Sequence, residues 1–246
     1  MTWAGRIVWE GRWVTVWKPL SARSTVLSLL LGAHPAGMSP RELTRAGEHL
    51  GISAATVRVA LTRAVAAGEL RRTGSDYQLG PGLLARRRRL SEQVEEPTWD
   101  GTWEMAVVVG GGRSSGDRAA LRASLGGLRL AELREGVWLR PANLVRTAED
   151  HPPELRTFRV RPEGDPGALA AQLWDLRAWA AEATSTIDEL AAVGDPATRL
   201  AVAAHLVRHL GTDPVLPGEL CPVGWPGPWA QQVYDDYQRE VRALGA

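Results

Sequence analysis

Between residues 21 and 79 the sequence alternates three helical stretches with short breaks and ends in a hairpin pattern, and this order constrains the fold more than any other feature. Ser21, Ser39 and Ser53 each stand where a capping residue should precede a stretch of helical apolar periodicity. Gly51 lies in the short break before the third stretch. Helix, helix, short glycine-containing turn and helix is the order of a helix-turn-helix unit.

The start of the second helix is the most sharply defined of these boundaries. Ser39 is followed by Pro40, which suits the first helical position because it has no N–H that would need a partner there. Glu42 stands three residues after the serine, as in a capping box. We therefore expect a helix that begins at Pro40 and ends near Gly51.

A hairpin pattern follows the third helix directly. Residues 69–79 form two short alternating runs around Gly74, with Arg71 and Arg72 on the first arm and Tyr77 on the second. Its size and its place in the chain are typical of the wing in a winged helix-turn-helix domain.

The third helix has one side that is rich in hydrogen-bonding groups and lacks acids. Its apolar side collects Val57, Ala60, Leu61, Ala64 and Val65, and the other side carries Thr56, Val59, Thr62 and Arg63, with Arg58 at the margin. Major-groove reading needs donors and acceptors near a helix N-terminus, and phosphate contacts need arginine and backbone N–H groups. The candidate DNA-binding residues of the helix and hairpin are Ser53, Thr56, Arg58, Thr62, Arg63, Arg71, Arg72, Ser75 and Tyr77. An amphipathic surface helix with solvated arginines is the alternative.

Four consecutive arginines extend the basic character of this region. Arg86, Arg87, Arg88 and Arg89 lie on a helix that we expect to begin at Gly80-Pro81. Adjacent like charges on a helix repel each other, so the phosphates of DNA are natural partners for them. A solvated charged face is the alternative interpretation.

Charge is separated along the chain although the net charge is only +1. Residues 1–91 contain 14 Lys or Arg and 5 Asp or Glu, whereas residues 92–246 contain 15 and 23, so the two parts carry +9 and −8. A basic module followed by an acidic one indicates a polyanion-binding part joined to a part with another role.

The second half of the sequence predicts a small sheet followed by helices. The expected strands are Trp103–Val109, 127–133, Val137–Arg140 and Thr157–Arg161, with one helix at Asp117–Leu125. This order favours a ferredoxin-like sheet whose second helix is shortened at residues 147–156. Alanine-rich helices are expected at 165–183, 195–210 and 229–244.

These patterns predict an α+β protein of three domains and an N-terminal extension. The winged helix-turn-helix with its basic linker helix occupies 21–96, the ferredoxin-like middle domain 97–164 and the C-terminal helical domain 165–246. Residues 1–20 are rich in tryptophan and form either a small hairpin or an irregular extension, to which we assign no function.

Motifs of several other function classes are missing. Cys221 is the only cysteine, which excludes an internal disulfide and a cysteine metal site and fits a reducing, cytoplasmic setting. His205 and His209 have a spacing that can hold zinc, but no His-Glu-x-x-His pattern surrounds them, so packing is favoured. We find no Gly-Lys-Ser/Thr that would complete a phosphate loop at glycines 110–112, and no apolar window long enough for a membrane span. We therefore expect neither an enzyme nor a metal or cofactor.

Six motifs are spread in a fixed order over nearly the whole chain from Ser21 onward. The first three are Arg23-Ser-Thr-Val-Leu-Ser-Leu-Leu30, Gly51-Ile-Ser53 with Val57-Arg-Val-Ala-Leu-Thr-Arg63, and Gly68-Glu-Leu70 with Tyr77-Gln-Leu79. The others are Trp99-Asp-Gly-Thr-Trp103, Gly136-Val-Trp-Leu-Arg-Pro141, and Asp213-Pro-Val-Leu-Pro217 with Trp225-Pro-Gly227. Together they resemble the PaaX-type repressors, a family named for the regulator of phenylacetic acid degradation.

The resemblance implies a homodimeric transcriptional repressor of a catabolic operon. It would bind double-stranded operator DNA and would be released by an acyl-coenzyme A thioester or a related aromatic acid. Trp103, Trp138 and Trp225, with Trp229, either line an apolar effector pocket or are plain core residues.

Two other function classes remain as alternatives. A metal-dependent nuclease could be built on the ferredoxin-like domain, but the strand from Trp103 lacks the terminal aspartate that a magnesium site would need. A protein-interaction module could use the winged fold, and salt-dependent retention on DNA would distinguish it from a DNA-binding protein.

Overall fold

The computed structural model describes residues 4–9, 12–90, 99–109, 114–145 and 154–245. The chain divides into two compact units. Unit 1 comprises residues 1–87, 183–208 and 228–246, and unit 2 comprises residues 88–182 and 209–227. Neither unit is one continuous stretch of sequence.

Helices and strands are mixed along the whole chain. The first part contains β1 (Ala4–Trp9), β2 (Arg12–Trp17), α1 (Ala22–Ala33), α2 (Pro40–His49), α3 (Ala54–Ala66), β3 (Leu70–Thr73), β4 (Asp76–Leu79) and α4 (Pro81–Leu90). The middle contains β5 (Trp103–Val108), α5 (Ser115–Gly127), β6 (Ala131–Arg134), β7 (Val137–Pro141) and β8 (Leu155–Val160). The last part contains α6 (Pro166–Leu173), α7 (Leu176–Ala192), α8 (Pro196–Leu210), a short 3-10 helix (Gly218–Leu220) and α9 (Gly227–Gly245). No helix among the described residues is long and apolar enough to cross a membrane.

Serine caps set the starts of α1, α2 and α3, as the sequence predicts. Ser21, Ser39 and Ser53 each have extended backbone and accept a hydrogen bond from the N–H three residues later. At α2 the capping box is complete, because the N–H of Ser39 also donates to the Glu42 carboxylate at 2.6 Å. These bonds lower the pKa of Glu42, since they stabilise its ionised form.

The wing forms where the hairpin pattern predicts it. Strands β3 and β4 are antiparallel, with Leu70 opposite Leu79 and Thr73 opposite Asp76. Gly74 has φ of +62°, which a glycine adopts without strain in so tight a turn. Met38 adds a single bridge to Tyr77 on the other edge of β4, so the residues before α2 also hold the wing.

The tryptophan-rich N-terminal segment forms the hairpin rather than an irregular extension. Strands β1 and β2 pair in antiparallel register from Ala4 opposite Trp17 to Trp9 opposite Arg12. Within unit 1, the Trp17 indole N–H donates to the Glu189 carboxylate, and its ring meets His205 edge-on with the centroids 5.1 Å apart.

Two arginines from distant helices complete the C-terminal end of α1. The last carbonyls of a helix have no partner within the helix. Arg87 of α4 donates through Nη1 to the carbonyl oxygen of Leu31 at 2.6 Å, and Arg242 of α9 donates to that of Gly32. The C-terminal helix therefore stabilises the first helix of the winged segment.

The sheet of unit 2 has the strand order β6-β7-β5-β8, and every neighbouring pair is antiparallel. Since β7 lies between the two strands that α5 connects, this is the expected split βαβ arrangement. The loop of glycines 110–112 and most of the segment expected to shorten the second helix, residues 147–153, lie outside the described residues.

Two expected elements differ from the structure. The predicted start of the strand at 127–133 was wrong, because α5 continues to Gly127 and β6 begins only at Ala131. The helix expected at 165–183 is divided at Trp174, and Asp175 then accepts a hydrogen bond from the N–H of Ala178 at the start of α7. Sequence periodicity missed this break because alanine-rich stretches surround it on both sides.

Each face of the sheet is buried against different helices. Ala106, Trp138 and Leu155 pack with Leu125 of α5 on one face. Trp103 and Leu139 pack with Ala170 of α6 and with Leu216 and Leu220 on the other.

Candidate nucleic-acid interface

The polar side of α3 lies in solvent. Ser53, Thr56, Arg58, Thr62 and Arg63 are all exposed, whereas Val57, Ala60, Leu61 and Ala64 are buried. Val65, expected on the apolar side, is 37% exposed because it lies at the margin of that side. Val59 is 49% exposed, and it was not among the candidates because its side chain carries neither a charge nor a hydrogen-bonding group.

Several hydroxyl groups of this surface are used by the helix itself. The Ser53 Oγ accepts from the Thr56 N–H at 3.3 Å and lies 2.9 Å from the Thr56 hydroxyl. The Thr62 hydroxyl donates to the carbonyl oxygen of Arg58 at 3.1 Å. The polar groups that α3 presents to solvent beyond these internal bonds are mainly the exposed guanidinium groups of Arg58 and Arg63.

The wing presents exposed arginines beside α3. Arg71, Arg72 and Ser75 are exposed. Tyr77 is half-buried, and its backbone N–H and carbonyl pair with Met38. The predicted phosphate contacts of Arg71 and Arg72 are thus sterically open, whereas Tyr77 has a larger share in holding the wing.

An ion pair joins α1 to the base of the wing. Arg23 binds the Glu69 carboxylate with two nitrogens, each 2.7 Å from a different oxygen. The hydrogen bond to Glu69 raises the pKa of Arg23. Because the pair is exposed and bidentate, its effect is on geometry and local charge more than on stability.

Within the arginine run, the structure describes the side chain of Arg87 and gives it a partner inside the protein. Arg87 is half-buried, and its Nη1 donates to the carbonyl oxygen of Leu31 at the end of α1; its contact to phosphate stays a prediction. The side chains of Arg86, Arg88 and Arg89 lie outside the described residues, and their contacts to phosphate stay a prediction.

The tryptophans that were candidates for an effector pocket do not come together. Trp103 and Trp225 belong to the core beneath α6, whereas Trp138 packs on the opposite face of the sheet. Trp225 stacks on Trp179 at 4.5 Å, and Trp179 stacks on His209 at 4.6 Å. The sequence analysis missed Trp179, because one tryptophan in an alanine-rich helix looks like a core residue.

Asp213 organises the proline-rich loop that precedes α9. Its Oδ1 accepts from the N–H of Val215 at 2.7 Å, and its backbone carbonyl accepts from Arg129. The carbonyl of Val215 accepts from the Asn143 amide at 3.0 Å, and Val215 itself has a φ of +50°, unfavourable for a β-branched residue. Burial raises the pKa of Asp213. The motif from Asp213 to Pro217 is therefore explained by loop architecture.

The remaining candidates for reactive chemistry have packing partners. His209 donates through Nε2 to the carbonyl oxygen of Trp179 at 2.9 Å, and the ring of His205 contacts Trp17, so the two histidines have different partners. Burial raises the pKa of Cys221 to about 11. In the part of the chain that the structure describes, no group of three or more metal-ligating side chains comes together.

Comparisons with known proteins cover most of the chain. Family models match in order: "PaaX-like protein" at residues 21–80, "PaaX protein central Cas2-like domain" at 96–157 and "PaaX-like protein C-terminal domain" at 170–246. No curated protein matches. The solved structure of the uncharacterized protein Rv0674 from Mycobacterium tuberculosis is similar, with 41% identity, a TM-score of 0.76, and coverage of 92% of this chain and 97% of that chain. These matches support transcription regulation through DNA rather than an enzymatic activity. The chain belongs to the PaaX family of transcriptional regulators.

Proposed function

We propose that this regulator represses a catabolic operon by binding operator DNA with α3 in the major groove and the wing on the phosphate backbone. The observation that carries the proposal is the exposed, acid-free side of α3 with Arg58 and Arg63. The exposed arginines of β3 follow α3 closely in the chain. Their phosphate contacts would fix the register of α3 on the DNA.

The active form is a homodimer on an inverted repeat. One recognition helix reads only a few base pairs, and useful specificity in a genome needs two half-sites. Two copies related by a two-fold axis would read the same sequence on both strands, one helical turn or a multiple of it apart. The regulator acts in the cytoplasm, because the operator DNA is located there.

An acyl-coenzyme A thioester or a related aromatic acid releases the repressor. The support is the family resemblance and not a pocket formed by Trp103, Trp138 and Trp225, since these belong to different packing clusters. An inducer must bind the DNA-incompetent state more tightly, and operator DNA must then weaken the inducer by the same factor. Tryptophan fluorescence titration with candidate thioesters, with and without operator, measures both effects.

DNA binding is tested by selecting duplexes from a random library with the full-length chain and measuring their affinity by fluorescence anisotropy. Replacing Arg63 by alanine should weaken binding to the selected duplex by roughly 1–3 kcal/mol and relax the sequence preference of the protein. Arg177→Ala removes an exposed arginine from the part of α7 in unit 2 and is the matched control. Unchanged affinity of Arg63→Ala and Thr62→Ala combined would remove α3 from the interface.

The phosphate contacts are tested separately by salt. Loss of Arg71 or Arg72 should weaken all sequences about equally and reduce the slope of log K against log salt by roughly 0.9 per contact. A change of specificity with an unchanged slope would contradict this assignment.

A further inference from the structure

We propose that Val59 is a specificity-determining residue that contacts the 5-methyl group of a thymine in each operator half-site. The inference rests on the proposed DNA-binding function and names a base that α3 reads. It concerns a residue that neither the charge pattern nor the hydrogen-bonding pattern of the sequence selects.

The position of Val59 carries the inference. At 100° per residue, Thr56, Thr62 and Arg63 lie within about 60° of Val59, so it occupies the centre of the exposed side of α3. Its side chain is 49% exposed, although valine is most often buried. When α3 lies in the major groove of DNA, an apolar side chain at this position faces the edges of the bases.

Local folding gives no reason for valine here. An exposed helix site favours alanine or a straight polar chain, because β-branching restricts the side chain against the preceding turn. The buried residues of α3 that hold it to α1 and α2 are Val57, Ala60, Leu61 and Ala64, on the other side. Val59 therefore costs some helix stability without a packing gain within the unit.

The chemistry of the major groove identifies the partner. Among the four base pairs, only those with thymine present a methyl group there. The hydroxyl groups that flank Val59 on this side already have partners in the helix, since that of Thr56 lies 2.9 Å from the capping Ser53 Oγ and that of Thr62 donates to the carbonyl of Arg58. An apolar contact is what this central part of the surface can offer, with Arg63 beside it as a donor for guanine.

The test removes the methyl group from the DNA. Duplexes selected with the full-length chain are resynthesised with deoxyuridine in place of one thymine at a time, and their affinities are measured by anisotropy. For the wild-type chain, at least one such replacement per half-site should weaken binding about fourfold, which corresponds to one buried methyl-sized group. Val59→Ala should bind thymine and deoxyuridine duplexes equally, and Val59→Thr, which keeps one methyl group, should lose only part of the preference.

Val65→Ala is the matched control, because it removes the same side chain from the same helix about 120° around its axis. It should keep the wild-type preference for thymine. The inference is overturned if the wild type is indifferent to deoxyuridine at every thymine, if Val59→Ala keeps the full penalty, or if Val65→Ala abolishes the preference as Val59→Ala does. A chain that selects no duplex would overturn the proposed function and this inference together, whereas selection of duplexes without any effect of deoxyuridine overturns this inference alone. In that case Val59 would have to be tested as a contact for a protein partner.

Discussion

Gly80 should not tolerate even a methyl group, because it joins the wing to α4 at a point of close backbone approach. Its N–H donates to the carbonyl oxygen of Glu69 at 2.6 Å. A β-carbon added at Gly80 would lie 2.8 Å from that same oxygen and closer still to the carbonyl oxygen of Gly68. Both neighbours are backbone atoms, so relief requires the turn after α3 to move away from the end of β4.

The expected cost of Gly80→Ala follows from these contacts. Overpacking of a tight site costs about 1–3 kcal/mol, and weakening the bond to Glu69 adds about 1 kcal/mol. The reduced entropy of the unfolded chain offsets about 0.4–1 kcal/mol of this cost, which leaves a net loss of roughly 1–3.5 kcal/mol. Because the displaced residues lead into β3, affinity for DNA should fall as well.

The assay is urea unfolding followed by circular dichroism, with DNA affinity measured on the same preparations. Gly82→Ala is the matched control, because nothing lies within 4 Å of the added carbon and the residue is helical in α4. It should be neutral or more stable by up to about 1 kcal/mol. If Gly80→Ala unfolds at the wild-type urea concentration, the close approach is not rigid and this reasoning is refuted.

Three further predictions address charge, thiol reactivity and capping. Arg23→Gln should weaken DNA binding because it leaves the Glu69 carboxylate uncompensated at the base of the wing, whereas Glu69→Gln should leave binding equal or tighter. Fluorescence anisotropy at low and high salt measures both affinities. A loss of affinity in both variants would contradict the charge argument and would mean that the ion pair holds the wing in position. With a pKa of about 11, only about one Cys221 thiol in a thousand is ionised at pH 8, so labelling with a disulfide reagent should be slow in the native protein. The labelling rate should rise tenfold per pH unit up to that pKa and should become fast when the protein is unfolded. Arg242→Gln should destabilise the chain by about 1–2 kcal/mol in thermal unfolding, because it removes the side chain that caps the carbonyl of Gly32; an unchanged midpoint would contradict the capping role.

The winged segment could be predicted from sequence because its determinants are local. Ser39 and Glu42 cap a helix three residues apart, and Gly74 sits in the turn between two short strands. Such signals depend on neighbours along the chain, and the structure confirms the helix starts and the wing. The exposed surface of α3 follows from the same periodicity, so the structure confirms that the candidate residues of α3 are exposed, while their contacts to DNA stay a prediction.

The features that sequence could not give depend on distant partners. Arg87 lies in a run of arginines that suggests phosphate binding, and only the nearby end of α1 assigns it to the carbonyl of Leu31. Val59 and Val65 lie on different sides of the projection, yet both are exposed, because the packing around α3 decides how far its apolar side is covered. The break at Trp174 is hidden for the same reason, since the surrounding alanines favour helix on both sides.

The assembly of unit 1 changes what counts as the DNA-binding part of this regulator. Domain borders placed along the sequence would assign α1 to the first domain and α9 to the last, but both lie in one compact unit. Arg242 donates to the carbonyl of Gly32, and Gln238 packs so closely on Gly32 that a β-carbon there would collide with its amide. A helix end that is capped from a segment about two hundred residues later cannot be complete without that segment. The C-terminal end of α1, and with it the packing of the winged segment, is therefore completed by α9 through these two contacts.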